Sequence, residues 1–244
     1  MKKEEISAES SPSGEAKLDM IARLHSDFPA KFGIPRQAGI VDALRAKIVF
    51  EPQYRNPEAL RGIEGFSHLW LIWQFSENLR QDWSPTVRPP RLGGNTRMGV
   101  FATRSPFRPN ALGLSCVRLL GVERDEKLGS VLIVAGADMM DGTPIFDIKP
   151  YIPYSDARPD AACGFAPDPG HMLEVEFAGD SLENVPEDKR EALAGILAAD
   201  PRPSYQRDPD RVYALDFAGL SVKFSVAGER LTVLSAERER TMEI

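Results

Sequence analysis

The stretch that decides the fold runs from Leu112 to Asp138, LGLSCVRLLGVERDEKLGSVLIVAGAD. Two segments rich in Leu, Val and Ile flank the charged turn RDEKLG, which predicts two consecutive β-strands. Upstream, SHLWLIWQF at 67–75 is too short for a comfortable helix and lacks clean alternation, so it predicts a strand buried on both faces or at a subunit contact. Downstream, Asp141-Gly142 predicts a turn between two extended segments.

Strands without alternating helices dominate the middle of the chain, a pattern typical of a barrel or a sandwich. MGVFATR at 98–104 predicts a further strand. NPEALRGIEGF at 56–66 predicts a short helix with Pro57 in its first turn and Gly62 or Gly65 as its stop. Beyond residue 176 the composition changes, and PEDKREALAGILAAD predicts a helix that three short strands follow. We therefore expect a disordered tail at 1–16, a β domain at 17–176 and a small α+β unit at 177–244.

Bulk composition indicates a soluble globular protein in the cytoplasm. Of the 244 residues 42% are hydrophobic, and no run approaches the roughly 20 apolar residues that span a bilayer. The basic start has no apolar segment behind it, so it is not a secretory signal. Cys116 and Cys163 have neither metal-site nor disulfide spacing, which favours a reducing compartment. We expect no membrane partner.

Several kinds of chemistry are set aside because their motifs are missing. The chain has no Gly-rich dinucleotide or phosphate motif, no zinc-protease motif and no nucleophile elbow. With only three histidines, a metal site is not expected. His68 and Cys116 lie within apolar strands; we interpret His68 as a core or interface histidine and Cys116 as a core residue.

Positive charge is concentrated in one region of a chain whose net charge is −6. From Trp83 to Val122 there is no Asp or Glu, and six arginines are present: Arg88, Arg91, Arg97, Arg104, Arg108 and Arg118. This segregation indicates an anionic partner. The alternative is that these arginines pair with acidic residues elsewhere in the fold.

Three loops stand out, and together they suggest a shared pocket. In RSPFRPNALG at 104–113 the prolines stiffen the backbone, so Arg104 and Arg108 lose little freedom when they bind a carboxylate or phosphate. The glycines of PAKFGIPRQAGIV at 29–41 allow main-chain amides to approach a ligand. The segment 137–156 supplies Asp138, Asp141, Asp147 and Asp156 around Lys149 and Tyr151. Taken singly, each loop is also explained as a rigid turn.

Four segments carry a family resemblance over residues 18–165: KFGIPRQAG, GFSHLWLIW, VRPPRLGGNTRMGVFATRSPFRPNALGLS and DGTPIFDIKPYIPY. They closely resemble the TsaA-like family of TrmO-type tRNA methyltransferases. The resemblance implies a single-sheeted β-barrel domain that binds S-adenosylmethionine and acts as a homodimer. It implies methylation of N6 of threonylcarbamoyladenosine (t6A) at position 37 in the anticodon loop of tRNA.

By position, the resemblance also implies the residues that contact the cofactor. They are Ala38, Gly39, Ile40, Ser76, Glu77, Arg104, Leu114, Ala135, Gly136, Ala137 and Asp138. Ser76 stands where a histidine is expected in the family.

On this basis we hypothesise that Arg104 and Asp138 hold the cofactor. The substrate side is assigned to Arg88, Arg91, Arg97, Arg108, Asn110 and Lys149, facing RNA or the threonyl carboxylate. Asp138, Asp147, Lys149 and Tyr151 are unranked catalytic candidates. Two alternatives stay open: a methyltransferase of a small metabolite, and a non-catalytic RNA-binding barrel.

Overall fold

The computed structural model describes residues 17–78, 83–168, 170–203, 206 and 208–238. These residues form a mainly β protein, as the sequence predicts; the expected tail at 1–16 lies outside them. The strands are β1 (Ala22–His25), β2 (Arg45–Phe50), β3 (His68–Gln74), β4 (Thr86–Val87), β5 (Met98–Gly99), β6 (Leu112–Asp125), β7 (Gly129–Ala135), β8 (Thr143–Pro150), β9 (Glu174–Phe177), β10 (Tyr213–Phe217), β11 (Leu220–Ala227) and β12 (Arg230–Arg238). The helices are α1 (Pro153–Asp156) and α2 (Glu187–Ala198).

Six strands form a closed barrel in the order β1-β2-β7-β6-β3-β8, and β1 pairs with β8 to complete it. All six pairings are antiparallel. Antiparallel neighbours place the end of one strand beside the start of the next. The segments 26–44, 75–111 and 136–142 therefore emerge at the same end of the barrel.

The central strand β3 is buried on one face only, which corrects the expectation of burial on both faces. Leu69, Leu71 and Trp73 point into the barrel core, whereas the residues between them are half-buried. Successive side chains of a strand point to opposite faces, so this alternation gives an inner and an outer surface. The alternative, a subunit contact, stays a prediction.

Two local predictions need correction. The short helix expected within 56–66 begins at Pro57 and stops before Gly62 as predicted, but it is a 3₁₀ turn, Pro57–Leu60, and a second 3₁₀ turn, Ile63–Gly65, follows Gly62, whose φ is +85°. The expected strand at 98–104 pairs only at Met98 and Gly99, and a 3₁₀ turn follows it at Val100–Ala102.

A second sheet has the order β10-β11-β12-β9, with β9 parallel to β12. The predicted helix and the three predicted strands of this region are confirmed as α2, β10, β11 and β12. The division into two domains stays a prediction. Because β9 belongs to the second sheet, we propose a boundary before Glu174.

The segment between β1 and β2 shares a hydrophobic core with the second sheet and α2. Phe28 packs against Phe217 with ring centroids 5.3 Å apart. Val41 is buried in the same cluster and leaves no room for a side chain at Gly195 of α2, where a Cβ would lie 2.6 Å from it. The second unit therefore supports one wall of the loop end of the barrel.

Polar contacts reinforce this junction. Lys189 of α2 donates to the Asp27 carboxylate at 2.6 Å, and both side chains are mostly buried. The backbone N–H of Ala218 donates to the Asp27 carbonyl at 2.9 Å. In the described part of the chain no helix is long and apolar enough to cross a membrane.

Candidate active site

A pocket of about 780 Å³ opens at the loop end of the barrel. The three loops singled out in the sequence line it together: residues 31–37, the segment from Phe101 to Asn110, and residues 138–143. The ends of β3 and β6 form its floor. Pockets of this size, with few convergent polar groups, are the usual binding sites for small ligands.

Asp138 is fixed at the pocket by a chain of hydrogen bonds. The Trp73 indole Nε1 donates to the Ser115 hydroxyl at 3.0 Å, and Ser115 donates to Asp138 Oδ1 at 2.6 Å. Burial raises the pKa of the Asp138 carboxyl, and the hydrogen bond from Ser115, together with smaller contributions from the Ala38 amide and Arg104, opposes the rise. The result is a partly desolvated carboxylate in one fixed orientation.

This hydrogen-bond chain requires a glycine on the neighbouring strand. A Cβ at Gly113 would lie 2.1 Å from the Trp73 ring, so no side chain fits between them. Gly113 and Trp73 are directly opposite in the pairing of β6 with β3.

We expect Gly113→Ala to displace the Trp73 indole and break its hydrogen bond to Ser115. Overpacking of this kind destabilises a fold by about 1–3 kcal/mol. The check is a thermal melt together with a near-ultraviolet spectrum of the tryptophans. Gly121→Ala on the same strand is the matched control, because a Cβ there meets nothing within 4 Å. Equal melts for the two variants would contradict the role of Gly113.

Two arginines from the stiff loop reach the pocket. Arg104 donates to the side-chain oxygen of Gln37 on the facing loop, which ties the two walls together. Arg108 donates to the carbonyl of Thr103 at 3.1 Å and is half-buried. One guanidinium nitrogen in each residue makes these contacts, so the planar fork retains donors for a ligand.

The first loop is held in place by its neighbours. Gly33 has φ +97° and is in contact with Leu215 of the second sheet, where a Cβ would lie 2.1 Å away. Lys31 donates to the carbonyl of Glu77 at 3.3 Å. The loop is therefore pinned from the second unit and from the end of β3.

The segments assigned to the cofactor by resemblance lie side by side. The N–H of Gly39 donates to the carbonyl of Gly136 at 2.9 Å, and the N–H of Gly136 donates to Leu44 at 3.0 Å. Gly136 has φ +73°, and a Cβ on it would lie 3.2 Å from the Gly39 backbone, so both conformation and space require glycine. Of the eleven assigned residues, those that line the pocket are Ser76, Glu77, Arg104, Leu114 and Asp138.

Other sequence candidates lie away from the pocket lining. Lys149 forms an ion pair with Asp147 at 2.8 Å, on the barrel face that carries Ile72. Tyr151 packs against Trp70 with ring centroids 5.8 Å apart. Arg91 binds the Asp168 carboxylate at 2.7 Å.

Asn110 lines the pocket, whereas Arg88 and Arg97 are exposed beyond it. Cys116 is half-buried and alternates with the inward residues Ser115 and Val117 on β6, so its interpretation as a core residue was wrong. Its partial burial still raises the pKa of the thiol. Among the residues that the structure describes, no group of three or more His, Cys, Asp or Glu side chains could hold a metal ion.

Sequence reasoning missed three residues of the site: Trp73, Ser115 and Gln37. Ser115 carried a usable signal, because it is a polar residue at an inward position of an otherwise apolar strand. Gln37 and Trp73 carried none, since their roles depend on which elements the fold brings next to them.

Comparison with known proteins gives matches over both parts of the chain. The model of the tRNA-methyltransferase O N-terminal domain matches residues 23–157, and the TrmO C-terminal domain matches 171–239. A tRNA (adenine(37)-N6)-methyltransferase of Escherichia coli K12 is 37% identical over 230 residues, covering 91% of this chain and 97% of that protein.

Two further matches are to a methyltransferase and to a TrmO crystal structure. A putative S-adenosylmethionine-dependent methyltransferase of Pseudomonas aeruginosa is 41% identical over 210 residues, covering 83% of this chain and 89% of that protein. A crystal structure of TrmO from P. aeruginosa superposes with a TM-score of 0.76 at 33% identity, covering 93% of this chain and 98% of that one.

The fold, the loop-built pocket and these matches define an enzyme of the methyltransferase class. The chain belongs to the family of tRNA-methyltransferase O.

Proposed function

We propose that this enzyme transfers a methyl group from S-adenosylmethionine to N6 of t6A at position 37 of tRNA. The observation that carries the proposal is the pocket, which a half-buried carboxylate, Asp138, lines together with Arg104 and Arg108 of the stiff loop. The names of the related proteins support tRNA adenosine 37 and this methyl donor.

The pocket residues fit S-adenosylmethionine, a methyl donor that carries both positive and negative charge. Asp138 suits the cationic part, Arg104 suits a carboxylate, and Leu114 offers apolar surface to the remainder. The 38–40 and 135–137 segments lie outside this lining and are joined to each other by the hydrogen bond from the Gly39 amide to the Gly136 carbonyl. When bound, S-adenosylmethionine supplies a methyl group on a positively charged sulfur.

The acceptor side is assigned to Arg108 and Asn110. Both line the pocket on the loop that also carries Arg104, so a group held by Arg108 lies close to the donor side. The threonyl carboxylate of t6A is a planar anion that a guanidinium binds through paired hydrogen bonds. Holding the acceptor in line with the methyl group supplies much of the acceleration in such a displacement.

An anticodon loop suits this geometry because its bases are single-stranded. A base can be splayed from such a loop into a pocket without breaking a duplex. Of the four catalytic candidates only Asp138 lines the pocket, and we assign it to the cationic donor rather than to the N6 proton. Asp147, Lys149 and Tyr151 receive no role within one copy of the chain.

We also propose that the enzyme acts as a homodimer. On the outer barrel surface Leu114 lies directly opposite Ile72 and is 58% exposed, and the Asp147–Lys149 ion pair borders these two residues. Leu114 also lines the pocket, so a second copy on this surface would close the pocket from that side.

The direct test is mass spectrometry of nucleosides from t6A-containing tRNA incubated with the full chain and S-adenosylmethionine. We expect a 14 Da gain on t6A alone, with a thermal shift of the protein by the donor. A binding module without this cofactor would show no thermal shift. A methyltransferase of small metabolites would show the shift but leave t6A unchanged, and either result would overturn the proposal.

A further inference from the structure

A short two-stranded ribbon projects between β3 and β6. In it β4 pairs with β5, Thr86 opposite Gly99 and Val87 opposite Met98. The N–H of Val100 donates to the carbonyl of Pro85 at 2.9 Å and extends the pairing toward the barrel. We call residues 83–101 the aromatic ribbon.

One end of the aromatic ribbon carries two exposed aromatic rings. Trp83 is 51% exposed and Phe101 is 72% exposed. Their ring centroids are 6.1 Å apart with an angle of 31° between the planes. Phe101 also lines the pocket, so the pair lies at the pocket mouth with much of its ring surface open to solvent.

The other end carries two arginines. Arg88 follows Val87 and Arg97 precedes Met98, so both arginines lie one position beyond this registered pair, and both are exposed. Within the described ranges neither guanidinium is within 4.0 Å of a carboxylate. Trp83 and Arg88 are five positions apart, so at about 3.3 Å per extended residue they are separated by at most roughly 16 Å along the chain.

We propose that the aromatic ribbon binds the single-stranded nucleotides beside the target adenosine, with a base on the Trp83–Phe101 pair and phosphates at Arg88 and Arg97. This inference rests on the proposed function and extends it to the rest of the anticodon loop. Stacking surfaces beside a basic track are how proteins hold single-stranded nucleic acid.

Charge selects RNA over a protein partner for this surface. Residues 83–122 contain no Asp or Glu, so a polyanion meets attraction along the whole ribbon. Arg91 is the exception, because its guanidinium already forms an ion pair with the Asp168 carboxylate.

The test uses the full chain and a t6A-containing anticodon stem-loop as the probe. For Trp83→Ala/Phe101→Ala we expect a Kd for the stem-loop weakened about tenfold or more. Trp83→Ala alone, whose ring lies outside the pocket lining, should also weaken stem-loop binding and leave the affinity for S-adenosylmethionine unchanged. Trp83→Phe keeps a ring and should bind nearly as the wild type does. Tyr154→Ala is the matched control, since its ring is 89% exposed outside the ribbon and the pocket lining.

An independent arm measures salt dependence. Each phosphate contact with a single strand contributes about −0.7 to the slope of log K against log salt. Arg88→Ala/Arg97→Ala should therefore make the slope shallower by about 1.4. An unchanged slope would show that Arg88 and Arg97 do not contact RNA phosphates, which contradicts their proposed role.

The outcomes separate this inference from the proposed function. A wild-type chain that neither binds nor methylates the stem-loop contradicts the proposed function itself. If the wild type methylates the stem-loop normally and the double aromatic variant binds it as tightly as the wild type does, only the proposed role of the aromatic ribbon is overturned. A loss of self-association in sedimentation, with RNA affinity intact, would instead identify the rings as a contact between copies and also overturn the inference.

Discussion

Asp138→Asn is expected to remove most of the affinity for S-adenosylmethionine at neutral pH while raising the melting temperature of the protein without ligand. The carboxylate is the negative group that we assign to the cationic donor, and removing one partner of a buried charge pair costs about 2–5 kcal/mol. That corresponds to a Kd weakened roughly 30-fold to several-thousand-fold. Calorimetric titration with the donor measures it.

The gain in stability follows from the direction of the pKa shift. Burial raises the pKa of Asp138 in the folded protein, so the protonated form favours folding and this contribution is lost as pH rises through the folded pKa. An uncharged Asn avoids the desolvation of a carboxylate while still accepting from Ser115. The difference in melting temperature between variant and wild type should therefore shrink as pH falls below that pKa.

Ser115→Ala is the matched control for the charge. It leaves the carboxylate in place but removes the hydrogen bond from Ser115 that opposes the rise of the Asp138 pKa. As the pH falls, the variant should therefore lose its affinity for S-adenosylmethionine at a higher pH than the wild type does. Unchanged donor affinity in Asp138→Asn, with a fall in kcat alone, would show that Asp138 acts on the acceptor and would contradict our assignment.

Arg108→Ala is expected to reduce kcat/KM for t6A-containing RNA about 100-fold and to leave the Kd of S-adenosylmethionine within a factor of about two. Loss of a charge-assisted contact to a partly buried carboxylate accounts for this size. The Arg108 side chain also braces the loop through Thr103, so Arg108→Lys serves as a second variant that keeps the charge without the planar fork. Single-turnover methylation measures the first quantity, and calorimetry measures the second.

A chemical control isolates the carboxylate. The wild-type enzyme should discriminate strongly against a stem-loop whose threonyl carboxylate is a methyl ester, whereas Arg108→Ala should treat acid and ester alike. Arg104→Ala should show the converse pattern, with donor affinity lost. If both arginine variants lose donor binding and methylation equally, the division of roles between them is wrong.

Local patterns predicted much of this fold. The hairpin β6–β7 and the helix α2 follow from apolar periodicity and turn residues, which are properties of neighbours in the chain. β1 and β9 escaped prediction because each has only four residues, and their pairing with distant strands defines them. The 3₁₀ turns around Gly62 escaped because a left-handed glycine inside an apparent helix cannot be told from a C-cap by sequence.

For the site, sequence predicted the three loops but not how they meet. The stiff arginine-bearing loop and the clustered aspartates drew attention to Arg104 and Asp138, and the family resemblance assigned both residues to the cofactor. The Trp73–Ser115–Asp138 chain depends on register between two strands and on the space that Gly113 leaves, which only three-dimensional packing determines.

The junction between Val41 and Gly195, with Gly33 against Leu215, also bears on how this enzyme adapts. One wall of the pocket takes its position from residues of the second sheet and of α2 that do not line the pocket. Substitutions in the C-terminal unit can therefore shift this wall while every pocket-lining residue stays the same.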